Sequence, residues 1–209
     1  FIEKLAKMGI MNVACSLTEV KENKSLKKTD GAKVKNIRNI PKLVDANFAG
    51  TAKSSLCTLI LCEGDSAKAG VISGLSKEDR NIYGVYPLKG KLLNVRDEAL
   101  KKIAENKEIY EIKQILGLET DRDYSMEDIK VCLRYGSVLF MTDQDLDGSH
   151  IKGLGINMFD SLCLILCIAN GWICAGRPLL HGNFESEIKD RTYLAHCWVS
   201  WQVVVLDWD

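Results

Sequence analysis

The chain of 209 residues carries 28 Lys and Arg against 28 Asp and Glu, so its formal net charge is zero and no global field recruits a polyanion. Any nucleic-acid contact has to come from local clusters such as "KSLKKTDGAKVKNIR". Hydrophobic residues at 46% and charged residues at 27% exclude wholesale disorder and predict a core, and the most apolar stretch, "LCLILCIANGWICAG", falls short of the roughly 18 to 20 residues a membrane span needs.

Residues 1–28 have loose helical spacing and end in a lysine-rich face, which reads as the tail of a helix belonging to something before it. With no initiator Met, the chain reads as an internal piece. Residues 29–55 are a Gly-, Pro- and Lys-containing connector expected to lie across the next domain. "LCTLILC" (56–62) is an uncharged apolar run, the pattern of a strand buried on both faces. Glu63 follows at its carboxyl end, and "EGDSAKAG" then starts a helix with Asp65 or Ser66 near the N-cap.

"YGVYPL" (83–88) is a second strand, with Pro87 marking its end or a sheet edge. Helices are predicted over 96–118 and 125–136, each stopped by Gly, and "SVLFMT" (137–142) is a third strand, followed by a helix starting near Ser149. This order is that of an α/β fold: an open, mainly parallel, Rossmann-like sheet flanked by helices, with ligands at the carboxyl ends of its strands. Eight cysteines without a C-x-x-C pair or secretory leader point to reduced thiols in an intracellular protein. Cys57 and Cys62 are five apart, face opposite ways and belong to the core.

"TDQDLDGSH" carries the chemistry. If residues 143–147 stay extended, Asp143, Asp145 and Asp147 project on one side about 7 Å apart. Their repulsion calls for a hard divalent cation, and oxygen-only ligands favour magnesium, manganese or calcium over zinc. The opening matches an EF-hand loop, but Leu154 stands where the bidentate Glu belongs and a strand precedes the loop. Solvated turn aspartates are the plain alternative. Glu63, at a second strand end and followed by "GDS" at a helix start, shifts the balance toward one magnesium site.

"GVYPLKGK" fails as a P-loop because five residues separate Gly84 from Gly90 and Leu92 occupies the Ser/Thr position. Lys89, Lys91 and Arg96 are either a basic edge for a nucleic-acid backbone or an ordinary solvated cluster. His150 either meets phosphate or caps a helix; Lys152 is either a partner for a scissile phosphate or a snorkelling surface lysine.

Together, "LILCEGDSAKAG", "YGVYPLKGKLLNVRD" and "LRYGSVLFMTDQDLDGSHIKGLGINMF" resemble the Toprim domain of eukaryotic-type DNA topoisomerase II, and "LKKTDGAK" with "NIPKLVDANFAG" resembles the connector before it. The resemblance runs from Leu26 to Phe159; gyrase is less similar in the connector. It implies a Toprim domain over 56–159, with Glu63 and Asp143 as catalytic magnesium ligands, Asp143 and Asp145 as ligands of a second ion, and Asp147 in support. Manganese or calcium is expected to substitute. Lys91 and Asn94 correspond to DNA contacts, with Lys89 and Lys152 beside them, and Gly64, Asp65 and Ser66 lie next to the cleavage point.

The implied partner is double-stranded DNA, acted on by an ATP-hydrolysing homodimer with a nuclear address. Its attacking tyrosine lies downstream and its ATP-binding gate upstream, whose transducer residues 1–25 resemble; Tyr193 matches no tyrosine motif. The chain alone is therefore expected to bind magnesium without cleaving DNA. Another Toprim enzyme, such as a primase, and a non-catalytic nucleic-acid-binding or inert fragment are the competing functions. Residues 160–209 hold all four tryptophans and half the cysteines, and read as an irregular tail from a translated frameshift or unspliced intron rather than a divergent genuine one.

Overall fold

The computed structural model describes residues 10–96, 98–120, 122, 124, 131–162 and 201–207. Helix α1 (Ile10–Lys27) leads into the connector. Then follow β1 (Thr58–Glu63), α2 (Gly64–Gly74), β2 (Tyr83–Leu88), α3 (Leu100–Glu105), α4 (Lys107–Leu116), β3 (Ser137–Asp143), α5 (Leu146–Leu162) and β4 (Trp201–Asp207). The sheet order is β2-β1-β3-β4, with β1 parallel to both neighbours.

The central strand has the expected apolar run. Leu59, Ile60, Leu61 and Cys62 are all fully buried, and the two-residue period sends them alternately to two cores. Leu59 and Leu61 join Phe140, Ile109, Ile112, Ile115, Met158 and Phe159 of the larger core. Ile60 and Cys62 join Ala67, Val71, Val85 and Met141 of the smaller one beneath α2. Cys57 and Cys62 are both buried, one in each core, as their spacing requires. Helix α5 comes close to β3 at Gly155, where a Cβ would stand 2.2 Å from the Phe140 ring, and Phe140 meets Phe159 edge-on at 6.3 Å.

Several expected boundaries shift. The helix predicted over 96–118 is two helices, because the Asn106 backbone is extended and its side chain accepts the Glu108 and Ile109 N–H groups at 3.0 Å each. Helix α4 still ends at Gly117, as the Gly stop signal predicts. Of the helix expected over 125–136, residues 125–130 lie outside those described. The tail expected to be irregular contributes a strand: "WQVVVLD" is rich in β-branched residues and pairs antiparallel with the whole of β3. Residues 163–200 lie outside those described.

The connector is tied to the domain by buried ionic contacts. Lys113, 3% exposed, donates to Thr29, Asp30 and Thr120. Arg134, fully buried, donates to the Val34 and Ile115 carbonyls at 2.6 and 2.8 Å and to the Asp45 carboxylate, which also accepts the Tyr135 hydroxyl. Val44 then bridges the outer edge of β2 by exchanging hydrogen bonds with Val85 at 2.9 and 2.8 Å. Arg134→Ala strands the Asp45 charge and these carbonyls, and is expected to lower the unfolding free energy by about 3–5 kcal/mol. Urea titration checks this against Lys101→Ala, an exposed control expected to change it by less than about 0.5 kcal/mol.

Candidate functional site

The parallel register sets Cys62 beside Met141, so the next residues of β1 and β3 emerge together at the carboxyl edge of the sheet. There Glu63 turns its carboxylate to β3, and Oε2 accepts the Asp143 backbone N–H at 3.4 Å. The chain leaves β1 through Gly64, whose φ of +84° is a conformation that side-chain-bearing residues rarely adopt. Helix α2 therefore starts at once, with Glu63 at the N-cap and no side-chain capping bond. The N-cap expected at Asp65 or Ser66 is thus two or three residues too late, and both stand exposed in the first turn.

The aspartates are not in an extended run. Helix α5 starts at Leu146, three residues before the expected Ser149, and takes Asp147 into its first turn. The physical cause is Asp145, whose Oδ1 accepts the Gly148 N–H at 2.6 Å and caps the helix; the Thr142 hydroxyl, fully buried, donates to the Gly148 carbonyl at 3.2 Å. Alternation in sequence signals one face only while the backbone stays extended, and here it does not. A helix start inside the loop also removes the EF-hand alternative.

Asp147 is paired with Lys91 across 2.9 Å, with roughly half or more of both side chains exposed. Such an exposed pair is worth at most about 1 kcal/mol, so a stronger ligand can replace either partner. Asp65 is held by Lys42 of the connector at 3.0 Å. Asn94 accepts the Asn157 side-chain N–H at 2.6 Å, joining the loop after β2 to α5. Lys89, Arg96 and His150 are exposed. Lys152 is not: at 7% exposure it is buried on α5, where desolvation lowers its pKa, so it belongs neither to a surface fringe nor to the exposed basic edge.

The structure thus brings Glu63 to Asp143 and Lys91 to Asp147, and leaves Asp145 as a cap. Among the described residues no three or more His, Cys, Asp or Glu side chains are arranged as a metal cage. The donor set is nonetheless one for a hard cation: carboxylate oxygens from two adjacent strand ends, with more on the next helical turn. Sequence reading passed over Lys42, Asn157 and Glu108. Lys42 lies in "NIPKLVD", which signals only a connector, and its partner Asp65 is 23 residues away.

A Toprim domain family model matches residues 58–168, more than half of the chain. The chain belongs to the Toprim family. The match extends past Phe159, where the resemblance in motifs ends. The chain is 48% identical over 161 residues to a DNA topoisomerase 2 of Meyerozyma guilliermondii, covering 77% of this chain and 11% of that protein. It is 51% identical over 160 residues to a DNA topoisomerase 2 of Pisum sativum, again covering 77% and 11%. It also matches the crystal structure of the Plasmodium falciparum topoisomerase II DNA-binding, cleavage and re-ligation domain, with 56% identity, a TM-score of 0.60, and coverage of 64% of this chain and 18% of that one. This Toprim chain thus spans about a tenth of the length of the curated relatives it matches.

The capping role of Asp145 is separable from its charge. Asp145→Asn keeps the acceptor oxygen and is expected to leave thermal stability nearly unchanged, whereas Asp145→Ala loses the cap and about 1 kcal/mol. Thermal melts of the two variants beside the parent chain measure the difference.

Proposed function

We propose that this chain supplies the metal-binding half of a type II DNA topoisomerase active site. The observation that carries the reading is the Glu63 carboxylate lying on the Asp143 backbone N–H, which joins two acidic strand ends at the carboxyl edge of a Toprim sheet. The roughly half-identical relatives named DNA topoisomerase 2 give that edge its reaction class.

In this reading Glu63 and Asp143 hold the catalytic magnesium, with Asp145 contributing to a second ion and Asp147 to the surrounding negative field. Manganese or calcium fits the same oxygen donors. Bound magnesium supplies Lewis-acid stabilisation of the charge that develops on a leaving 3′ oxygen. Lys91, released from Asp147, meets a phosphate of double-stranded DNA, and Lys89 and Asn94 extend that contact along the loop after β2. Gly64, Asp65 and Ser66 line the approach, where the first-turn N–H groups of α2 face the phosphate. Lys152 has no direct part while it stays buried.

The remaining parts of the cycle belong to the longer protein of this type: an attacking tyrosine, ATP hydrolysis, a homodimer and a nuclear address. The chain by itself holds metal and DNA but neither cleaves nor relaxes it.

Manganese titration followed by electron paramagnetic resonance tests the site. Glu63→Gln and Asp143→Asn are each expected to weaken binding by at least the ~10-fold that loss of an outer-shell partner costs. Unaltered affinity in both variants contradicts the assignment. For the DNA contact, Lys91→Ala is expected to make the slope of log affinity against log salt shallower by about 0.9, the value for one phosphate contact. A slope equal to that of the parent chain removes Lys91 from the interface.

A further inference from the structure

The outer edge of β2 has an unusual set of donors. Along that edge the outward N–H of Val85 goes to the Val44 carbonyl at 2.8 Å, and Pro87 has no N–H to offer. Two residues on, the N–H of Lys89 is accepted by the Glu108 side chain, with Oε1 at 2.7 Å. Where a further strand would stand, a carboxylate takes its place. The chain then turns through Gly90, and Lys91 reaches Asp147 at 2.9 Å.

Glu108 is itself held. It lies in the first turn of α4, and Asn106 fixes its backbone N–H at 3.0 Å. One turn further, the buried Glu111 accepts the Tyr86 hydroxyl of β2 at 2.5 Å, so α4 is tied to β2 at two places. Glu108 is half-buried, and its Oε1 takes the Lys89 N–H at a contact open to solvent, so what the bond supplies is direction rather than a strong local field.

The geometry points to Glu108 as the positioning residue of the basic loop: by accepting the Lys89 N–H it fixes the direction in which the chain leaves β2 and so the place from which Lys91 meets DNA. This rests on the reading of Lys91 as a phosphate contact. The action is through reach and acceptor geometry, not through charge on the DNA, and the two are separable. Gln keeps the reach and an acceptor oxygen without the charge; Asp keeps the charge and loses a methylene of reach.

The test uses the whole chain, a labelled duplex DNA and manganese. Glu108→Ala is expected to speed amide exchange at Lys89 and to weaken duplex binding about three- to ten-fold, the span of one net hydrogen bond. Manganese affinity is expected to stay unchanged, and Glu108→Ala is expected to cost less in a Lys91→Ala background than in the parent chain. Glu108→Gln is expected to bind like the parent chain and Glu108→Asp to bind less well. This ordering holds the test even if the alanine variant folds poorly. Equal losses with and without Lys91, or Asp outperforming Gln, overturn the inference while leaving the functional reading in place. A parent chain that binds no duplex at all overturns both.

Discussion

The parallel ladder between β1 and β3 is the constraint on which everything else rests. Each backbone hydrogen bond in it fixes one residue of β1 against one of β3, and a slip of a single residue would turn every side chain to the other face. The two cores forbid that slip. Leu59 and Leu61 belong to one and Ile60 and Cys62 to the other, and all four are fully buried. With the register locked, Glu63 emerges level with Thr142, one residue short of Asp143, whose backbone N–H its carboxylate accepts. The position of the acidic pair is thus a by-product of hydrophobic packing some residues away, and the site inherits the rigidity of the sheet.

Around that pair the polar groups form a balanced ring. Asp147 leans on Lys91, Asp65 on Lys42, and Asp145 on the N-terminus of α5. Each of these three aspartates has a local cation or N–H donor, and the two exposed ion pairs are weak enough to exchange. Negative charge can therefore be concentrated at one edge of a folded domain without a large cost. The connector takes part directly, because Lys42 comes from it and because Arg134 and Lys113 bind it down from within the domain.

Much of this was legible in the sequence, and the rest was not, for identifiable reasons. The three parallel strands announced themselves as runs of six or seven mostly apolar residues, two followed at once by a carboxylate and one with a proline near its end, and Tyr83–Leu88 falls where the pattern put it. Alternating aspartates were misleading about the backbone, since the side chain of Asp145 was free to become a helix cap and did so. Asn106 ended one helix and began another, although the apolar spacing of the surrounding residues runs on through it. Glu108, Lys42 and Asn157 left no trace. Their partners are 19, 23 and 63 residues away, and no short pattern records a contact at that range.

A crystal of the chain grown with manganese and recorded at the metal's anomalous edge tests the central claim most directly. The account predicts a peak with carboxylate oxygens of Glu63 and Asp143 both in its coordination shell, at about 2.0–2.6 Å. A peak bound by only one of the two, or a fully loaded crystal with the ion elsewhere on the molecule, contradicts it.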